Sequence, residues 1–232
     1  MSLLPHWPLA GLRLTTPHLE LRLPDPDRLA ALASLAAEGV HDPAVQPFTV
    51  AWTDAEPEQR ARSVLQYHWR CWGAWQPANW ELNLVVLRDG IVVGTQGIGA
   101  RDFAILREVR TGSWLGRGHH GQGLGTEMRA AVLHLAFAGL GARHAVSGAY
   151  AHNTASLGVS DKLGYREDGI EHHVVREQAV LLRRLRLTAE QWREHRSVPV
   201  EIEGLRECLP WFGPDRPAGQ RPQAADWEPG HH

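Results

Sequence analysis

The feature that most constrains the fold is a glycine-rich loop between a strand and a helix. Residues 117–126 read Arg-Gly-His-His-Gly-Gln-Gly-Leu-Gly-Thr. Residues 111–115 before it are typical of the end of a β-strand, and Leu124, Met128 and Leu135 recur behind it at helical spacing. Glycines let a backbone come close to a ligand, and the amides of a helix's first turn have no partner within the helix. The segment therefore predicts a site for a phosphate or pyrophosphate at a helix N-terminus.

Two commoner phosphate-binding loops can be tested against the same residues. A P-loop ends in Gly-Lys-Ser/Thr, and residues 117–126 contain no lysine. A dinucleotide-binding G-x-G-x-x-G pattern does start at Gly116, but no Asp or Glu stands between Glu127 and Asp161 to hold a ribose. What remains is a Q/R-x-x-G-x-G/A type of loop over residues 120–125, with histidine in its first position.

A second motif lies downstream, where residues 153–165 read Asn-Thr-Ala-Ser-Leu-Gly-Val-Ser-Asp-Lys-Leu-Gly-Tyr. Asn153 suits a helix N-cap and Gly164 suits a helix stop. Taken singly, each motif is also typical of an ordinary helix with no ligand. Together, and at this spacing, they resemble the motifs of the GNAT superfamily of acyl-CoA N-acyltransferases. Residues 14–22 also resemble the first strand of its ribosomal-protein N-terminal acetyltransferase branch, which has succinyltransferase relatives.

The resemblance covers about residues 12–187 and implies an α/β (α+β) fold of the GNAT type. Such a fold has a central mixed, mostly antiparallel sheet of six to seven strands flanked by helices. Local signals predict one strand over residues 14–23 and a helix over residues 25–39. They also predict a hairpin over residues 80–99 that turns at Asp89-Gly90.

The domain organisation follows from the extent of the resemblance. We expect an acyltransferase domain over residues 1–187, followed by a C-terminal extension over residues 188–232. The extension is rich in proline near its end, so we expect it to be partly disordered there.

The resemblance assigns the acyl donor to the two motifs. In this family the loop amides hold the pyrophosphate of coenzyme A, and Ser156 lies near the sulfur as a candidate catalytic group. The alternative for Ser156 is an ordinary first-turn serine bonded to its own backbone. A tyrosine acid is not expected, because Ser160 holds its usual position, although Tyr150 is a spare candidate. The residues implied to bind the donor are Trp114, Leu115, His120, Gly121, Gln122, Gly123, Leu124, Gly125, Thr126, Asn153 and Ser156.

The acceptor side is less defined by sequence. An alkyl ammonium has a pKa near 10, so the amine must lose a proton before it attacks. Glu108 is the candidate base, and Arg110 on the same strand face stands where the related branch commonly has a glutamate. The alternative is an exposed Glu–Arg pair of little energetic value. Trp72 and Trp75 are candidates for an aromatic wall against the substrate, with core packing as the alternative.

Composition excludes several other classes of function. The chain of 232 residues has a net charge of −2 and only one lysine, Lys162, so it has no basic footprint for nucleic acid. We see no signal peptide, no bilayer-spanning apolar run and no zinc spacing. We therefore expect a cytoplasmic, bacterial protein without a metal, whose partners are an acyl-CoA and an amine. A homo-oligomer remains open.

Three functions follow from these residues. The leading one is transfer of an acyl group, acetyl by default, from acetyl-CoA to a primary amine by direct attack. The second uses succinyl-CoA, because Arg110 could bind the additional carboxylate. The third, of a different class, is a non-catalytic module that binds acyl-CoA or a partner.

Overall fold

A computed structural model describes residues 3–213 of the chain. Its centre is one nine-stranded sheet in the order β7-β8-β6-β5-β4-β3-β2-β1-β9. All neighbouring strands are antiparallel except β5 and β6, which run parallel. The strands are β1 (Arg13–Thr15), β2 (Glu20–Arg22), β3 (Asn79–Arg88), β4 (Ile91–Arg101), β5 (Glu108–Leu115), β6 (His144–Tyr150), β7 (Arg166–Val175), β8 (Gln178–Thr188) and β9 (Glu201–Glu203).

Helices cover both faces of this sheet. On one face α1 and α2 pack together over a small apolar cluster that includes Leu32 and Val64 and contacts Trp114. On the other face α4 buries Leu124, Met128 and Val132 in the main core. The helices are α1 (Pro26–Glu38), α2 (Pro57–Gly73), α3 (Phe103–Leu106), α4 (Leu124–His134), α5 (Thr154–Lys162), α6 (Ala189–His195) and α7 (Leu205–Cys208).

The mixed, mostly antiparallel sheet flanked by helices is confirmed, but it has more strands than expected. The predicted strand 14–23 is two strands, because the backbone N–H and the side chain of Thr16 bond Leu19 O at 2.9 and 3.2 Å and close a turn. Pro17 lies in that turn and has no N–H to donate. The second additional strand, β9, comes from the C-terminal extension and pairs with β1.

The described part of the C-terminal extension packs into the main core. Cys208 and Phe212 are fully buried, and Trp75 Nε1 donates a hydrogen bond of 3.0 Å to Trp211 O. Residues 188–213 therefore add both an edge strand and core side chains to the sheet. The proline-rich end, where we expected disorder, lies outside the described residues.

Candidate functional site

A cleft opens where the two parallel strands separate. Pairing between β5 and β6 ends at Arg110 and Val146, although β5 continues to Leu115 and β6 to Tyr150. The resulting β5–β6 cleft has a volume of about 850 Å³. The predicted donor residues that line it are Trp114, Leu115, His120, Gly121, Gly123, Leu124, Gly125, Thr126, Asn153 and Ser156. The structure thus brings both sequence motifs to one cavity.

The glycine loop lines one end of the β5–β6 cleft. Gly121 and Gly123 have φ values of +74° and +80°, which strain any residue with a Cβ, and no atom lies within 4 Å of where a Cβ would stand. His120 is held to Leu115 O at 3.1 Å through its Nε2. Gln122 does not line the cleft, because its side chain bonds Arg88 and the Gly118 carbonyl. At Gly121 and Gly123 the loop therefore presents backbone to the open space.

The other wall of the cleft is the start of α5. Asn153 caps the helix, since its side-chain oxygen accepts a hydrogen bond of 3.1 Å from Ser156 N. Ser156 is half-buried and faces the cleft, and its carbonyl accepts a bond of 3.0 Å from Ser160 Oγ. Ser160 Oγ in turn accepts a bond of 2.9 Å from Arg129 Nη1. The hydrogen bond from Arg129 of α4 to Ser160 therefore holds the first two turns of α5 in place.

A second cavity of about 600 Å³ lies on the α2 face of the sheet and meets the first. We call it the β3–β5 trough, because three strands form its floor. Both cavities are lined by the segment Thr111, Gly112, Ser113 and Trp114 of β5, and by Phe48 and Thr49 of the loop before α2. A ligand in the cleft and a ligand in the trough would therefore meet beside this part of β5.

One row across the floor of the trough carries charge. Glu81 of β3 and Arg110 of β5 pair with Gly99 of β4 from either side, so the three residues form a row. The Arg110 guanidinium bonds the Glu81 carboxylate above the glycine. A Cβ on Gly99 would collide with Glu81 Oε2, so only glycine leaves room for this ion pair.

The next row carries an amide. Asn83, Gly97 and Gly112 are aligned across the same three strands, and a Cβ on Gly97 would stand 2.6 Å from Asn83 Oδ1. Asn83 is buried beside the phenol of Tyr67 and the thiol of Cys71, and its Nδ2 forms no hydrogen bond within residues 3–213. A buried donor without an acceptor costs about 1–3 kcal/mol, so this N–H₂ group is suited to an acceptor atom of a ligand.

The wall of the trough above this floor comes from α2 and the preceding loop. His68 of α2 is buried, and burial lowers the pKa of its imidazole to about 4, so the ring is neutral at pH 7. Its Nδ1 has no partner among the described residues. Trp52 completes the wall with Trp114, with ring centroids 5.7 Å apart. The trough thus combines the Glu81–Arg110 ion pair and Arg70 with neutral polar and aromatic groups.

Three of the predicted acceptor-side residues are not in the trough. Glu108 lies where β5 and β6 are still paired, so it is outside the cleft, and its carboxylate binds Arg186. Trp75 follows the end of α2 and is buried against Trp7 and Trp80, as the core-packing alternative requires. Trp72 lies half-buried between the two apolar clusters.

Arg110 is the one predicted acceptor-side residue that does line the trough. The sequence interpretation missed Glu81, Asn83, His68 and Trp52. Glu81 and Asn83 face glycines of β4 on one face of the hairpin, a pattern that has meaning only once the strands are in register. His68 and Trp52 lie outside the hairpin, on α2 and in the segment before it.

The structure also bears on metal binding and on membrane insertion. In residues 3–213, no group of three or more His, Cys, Asp or Glu side chains is placed to hold a metal ion. The helices of that same described part are all too short or too polar to cross a membrane.

The mixed sheet, the separation of β5 from β6 and the glycine loop together define a class of acyl-CoA-dependent transferases. The acetyltransferase (GNAT) domain family matches residues 18–166, more than half of the chain, and the protein belongs to that family. It is an acyltransferase that uses coenzyme A chemistry.

Solved structures show the same fold at low sequence identity. Mycobacterium smegmatis RimJ, in complex with CoA-disulfide, is 19% identical with a TM-score of 0.62, covering 88% of this chain and 95% of its own. The ribosomal L7/L12 α-N-protein acetyltransferase RimL, in complex with coenzyme A, is 19% identical with a TM-score of 0.59, covering 75% and 95%. An acetyltransferase from T. thermophilus is 19% identical with a TM-score of 0.62, covering 79% and 93%.

Proposed function

We propose that the protein transfers an acetyl group from acetyl-CoA to a primary amine. The observation that carries this proposal is that the β5–β6 cleft and the β3–β5 trough meet at residues 111–114. The donor occupies the cleft, with its pyrophosphate at the loop amides of residues 121–126. The amine enters through the trough. The thioester carbonyl then lies beside Ser113 and Trp114, within reach of a nucleophile from the other side.

The chain's polar groups match the proton balance of the reaction. The amine nitrogen forms a bond to the carbonyl carbon, and the carbon–sulfur bond breaks with its electron pair on sulfur. Glu81 is the carboxylate that lines the trough, so it takes the ammonium proton directly or through a water. Ser156 donates a hydrogen bond toward the leaving sulfur, where a thiolate with an ordinary pKa near 8.5 develops. Glu81 thus replaces Glu108 as the base.

For the acceptor we propose the α-amine of a polypeptide chain. In a polypeptide only Cα separates the α-amine from the carbonyl group of the first residue, and Asn83 Nδ2 in the trough is a donor suited to that carbonyl oxygen. The ε-amine of a lysine has no carbonyl at this distance. The description of RimL as an α-N-protein acetyltransferase agrees with a protein acceptor, although at 19% identity its structure supports the fold alone.

The donor alternative is succinyl-CoA, which Arg110 could select. Arg110 does line the trough, but its guanidinium is already paired with Glu81. A succinyl carboxylate would have to displace that partner, so the net gain is small. We therefore propose acetyl-CoA as the working donor. Because this donor belongs to the metabolite pool of the cell interior, we also propose that the protein acts in the cytoplasm. We further propose that its acyltransferase domain spans residues 1–187 and is followed by the C-terminal extension.

The test is a mass-shift assay with acetyl-CoA and succinyl-CoA at equal concentration. Two peptides of one sequence are compared: one has a free α-amine, and the other has a blocked α-amine with a free lysine. We expect a gain of one acetyl group on the first peptide only. Acetylation of the lysine peptide alone would refute the acceptor class, and a succinyl product in excess would refute the donor. No transfer from either donor to any amine of a wide panel would refute the enzyme activity.

A further inference from the structure

One charged side chain lies beneath the β5–β6 cleft without a charged partner. Arg129 is in the second turn of α4, on the side that packs against α5, and it forms part of the cleft wall. Only 5% of its surface is exposed. A guanidinium is protonated at every pH that a protein tolerates, so a full positive charge is buried here.

The contacts of Arg129 satisfy only part of the guanidinium. Nη1 donates to Ser160 Oγ at 2.9 Å, whereas Nε is buried without an acceptor. No carboxylate within residues 3–213 forms an ion pair with it. The nearby ionisable group is the buried phenol of Tyr165, which is neutral at pH 7 because burial raises its pKa. A charge this poorly compensated destabilises the fold, and an apolar side chain of the same volume would be better there.

The surroundings of Arg129 connect it to the place where the two cavities meet. Ser160, its hydrogen-bond partner, donates to the carbonyl of Ser156 in the first turn of α5. Tyr165, on its other side, contacts Thr111 Oγ1 at 3.5 Å, and Thr111 lines both the cleft and the trough. The positive charge therefore lies on the α5 side of the thioester position, opposite the Glu81 carboxylate of the trough.

We propose that Arg129 stabilises the thiolate of coenzyme A as it leaves, by placing a desolvated positive charge beneath the sulfur and fixing the first turns of α5 through Ser160. The inference rests on the proposed acetyl transfer and adds a residue to it. When the carbon–sulfur bond breaks, the electron pair goes to sulfur, and a buried cation favours that charge more than a solvated one. No proton moves to or from Arg129, which is a positioning residue in this reaction.

The direct readout is the pKa of the coenzyme A thiol in its complex with the protein, followed by ultraviolet absorbance of the thiolate. A unit charge about 10 Å away, at an effective dielectric constant of about 20, shifts a pKa by about 1 unit. We expect a thiol pKa below the ordinary value of about 8.5 in the wild-type complex, and a rise of about 1 unit in Arg129→Met. Arg129→Lys keeps the charge, so its coenzyme A thiol should keep a pKa near that of the wild-type complex.

Activity and stability should move in opposite directions in Arg129→Met. We expect kcat to fall by about 10- to 100-fold, with less than about a threefold change in coenzyme A affinity. The melting temperature should stay the same or rise, because a poorly paired buried charge is removed. A residue with only a structural role would lower the melting temperature and leave the thiol pKa unchanged.

Two results would overturn the proposal. One is an unchanged thiol pKa in folded Arg129→Met. If that variant does not fold, Arg129→Gln replaces it, because glutamine keeps hydrogen bonding without the charge. The second result is then a coenzyme A thiol pKa that is the same in Arg129→Gln and in Arg129→Lys. The proposed function fails separately. A wild-type protein that lowers the thiol pKa through Arg129 but acetylates no amine would retain the thiolate site and refute the transfer.

Discussion

Replacement of Glu81 by glutamine tests the assignment of the base most directly. The amide has the same shape, and its oxygen can still accept a bond from Arg110, so the row over Gly99 keeps its geometry while the proton acceptor is lost. General base catalysis contributes about 10²–10⁴-fold. The Glu81 side chain is 29% exposed, so water can partly substitute and the lower end applies. We expect a loss of about 100-fold in kcat/KM for the amine, equivalent to about 2.7 kcal/mol.

The pH dependence of this loss separates proton removal from binding. An α-amine has a pKa of about 8, so below that pH most of the acceptor is ammonium and needs the base. Above it the amine is already free, and the deficit of Glu81→Gln should shrink as the pH rises from about 7 to about 9. The assay is steady-state acceptor kinetics at saturating acetyl-CoA, with the donor Kd from calorimetry as a check.

Glu108→Gln is the matched control for this experiment. Glu108 is a carboxylate at the closed end of β5, it also pairs with an arginine, Arg186, and it is outside both cavities. We expect it to leave kcat/KM within about twofold, as for a surface ion pair. An equal loss in both variants, or a deficit in Glu81→Gln that does not change with pH, would refute the assignment of Glu81.

Three further substitutions test the other parts of the site and the fold. Gly123→Glu puts an anion, and a strained φ of +80°, at the loop, so acetyl-CoA affinity should collapse in calorimetry while circular dichroism shows a retained fold. Ser156→Ala should lower kcat by about 10- to 100-fold under chemistry-limited conditions, and a normal kcat would show that Ser156 is an ordinary first-turn serine of α5. Phe212→Ala should cost about 3–5 kcal/mol in urea denaturation, and a negligible loss would contradict the packing of the extension.

Local signals predicted the fold where contacts are close in sequence. The helix capped by Asp25 and the hairpin turning at Asp89-Gly90 are present, because a cap and a two-residue turn are set by their own residues. The pairing of β9 with β1 could not be predicted, because three residues near position 202 join a strand near position 14. The pairing of β9 with β1 depends on how both segments pack against the assembled core, which local sequence does not specify.

The difference between local and long-range contacts also explains which parts of the site could be predicted from sequence. The donor side consists of two contiguous motifs, and the structure brings nearly all of their residues to one cleft. The trough depends instead on which residues of three strands are opposite one another. A bulge between Val86 and Leu87 shifts the hairpin register by one residue, and without it Glu81 and Gly99 would not be paired. A shift of one residue changes the face to which every side chain points, so the turn alone could not place Glu81.

In the acyl transfer that we propose, the charges around β5 match the direction in which charge moves. The amine arrives as a cation and must give up a proton on the trough side, where Glu81 is the carboxylate of the floor. The sulfur becomes an anion on the cleft side, where Arg129 is buried without an acidic partner among residues 3–213. Glu81 lines the trough, Arg129 lines the cleft, and residues 111–114 line both, so the two charges lie on opposite sides of the place where the cavities meet.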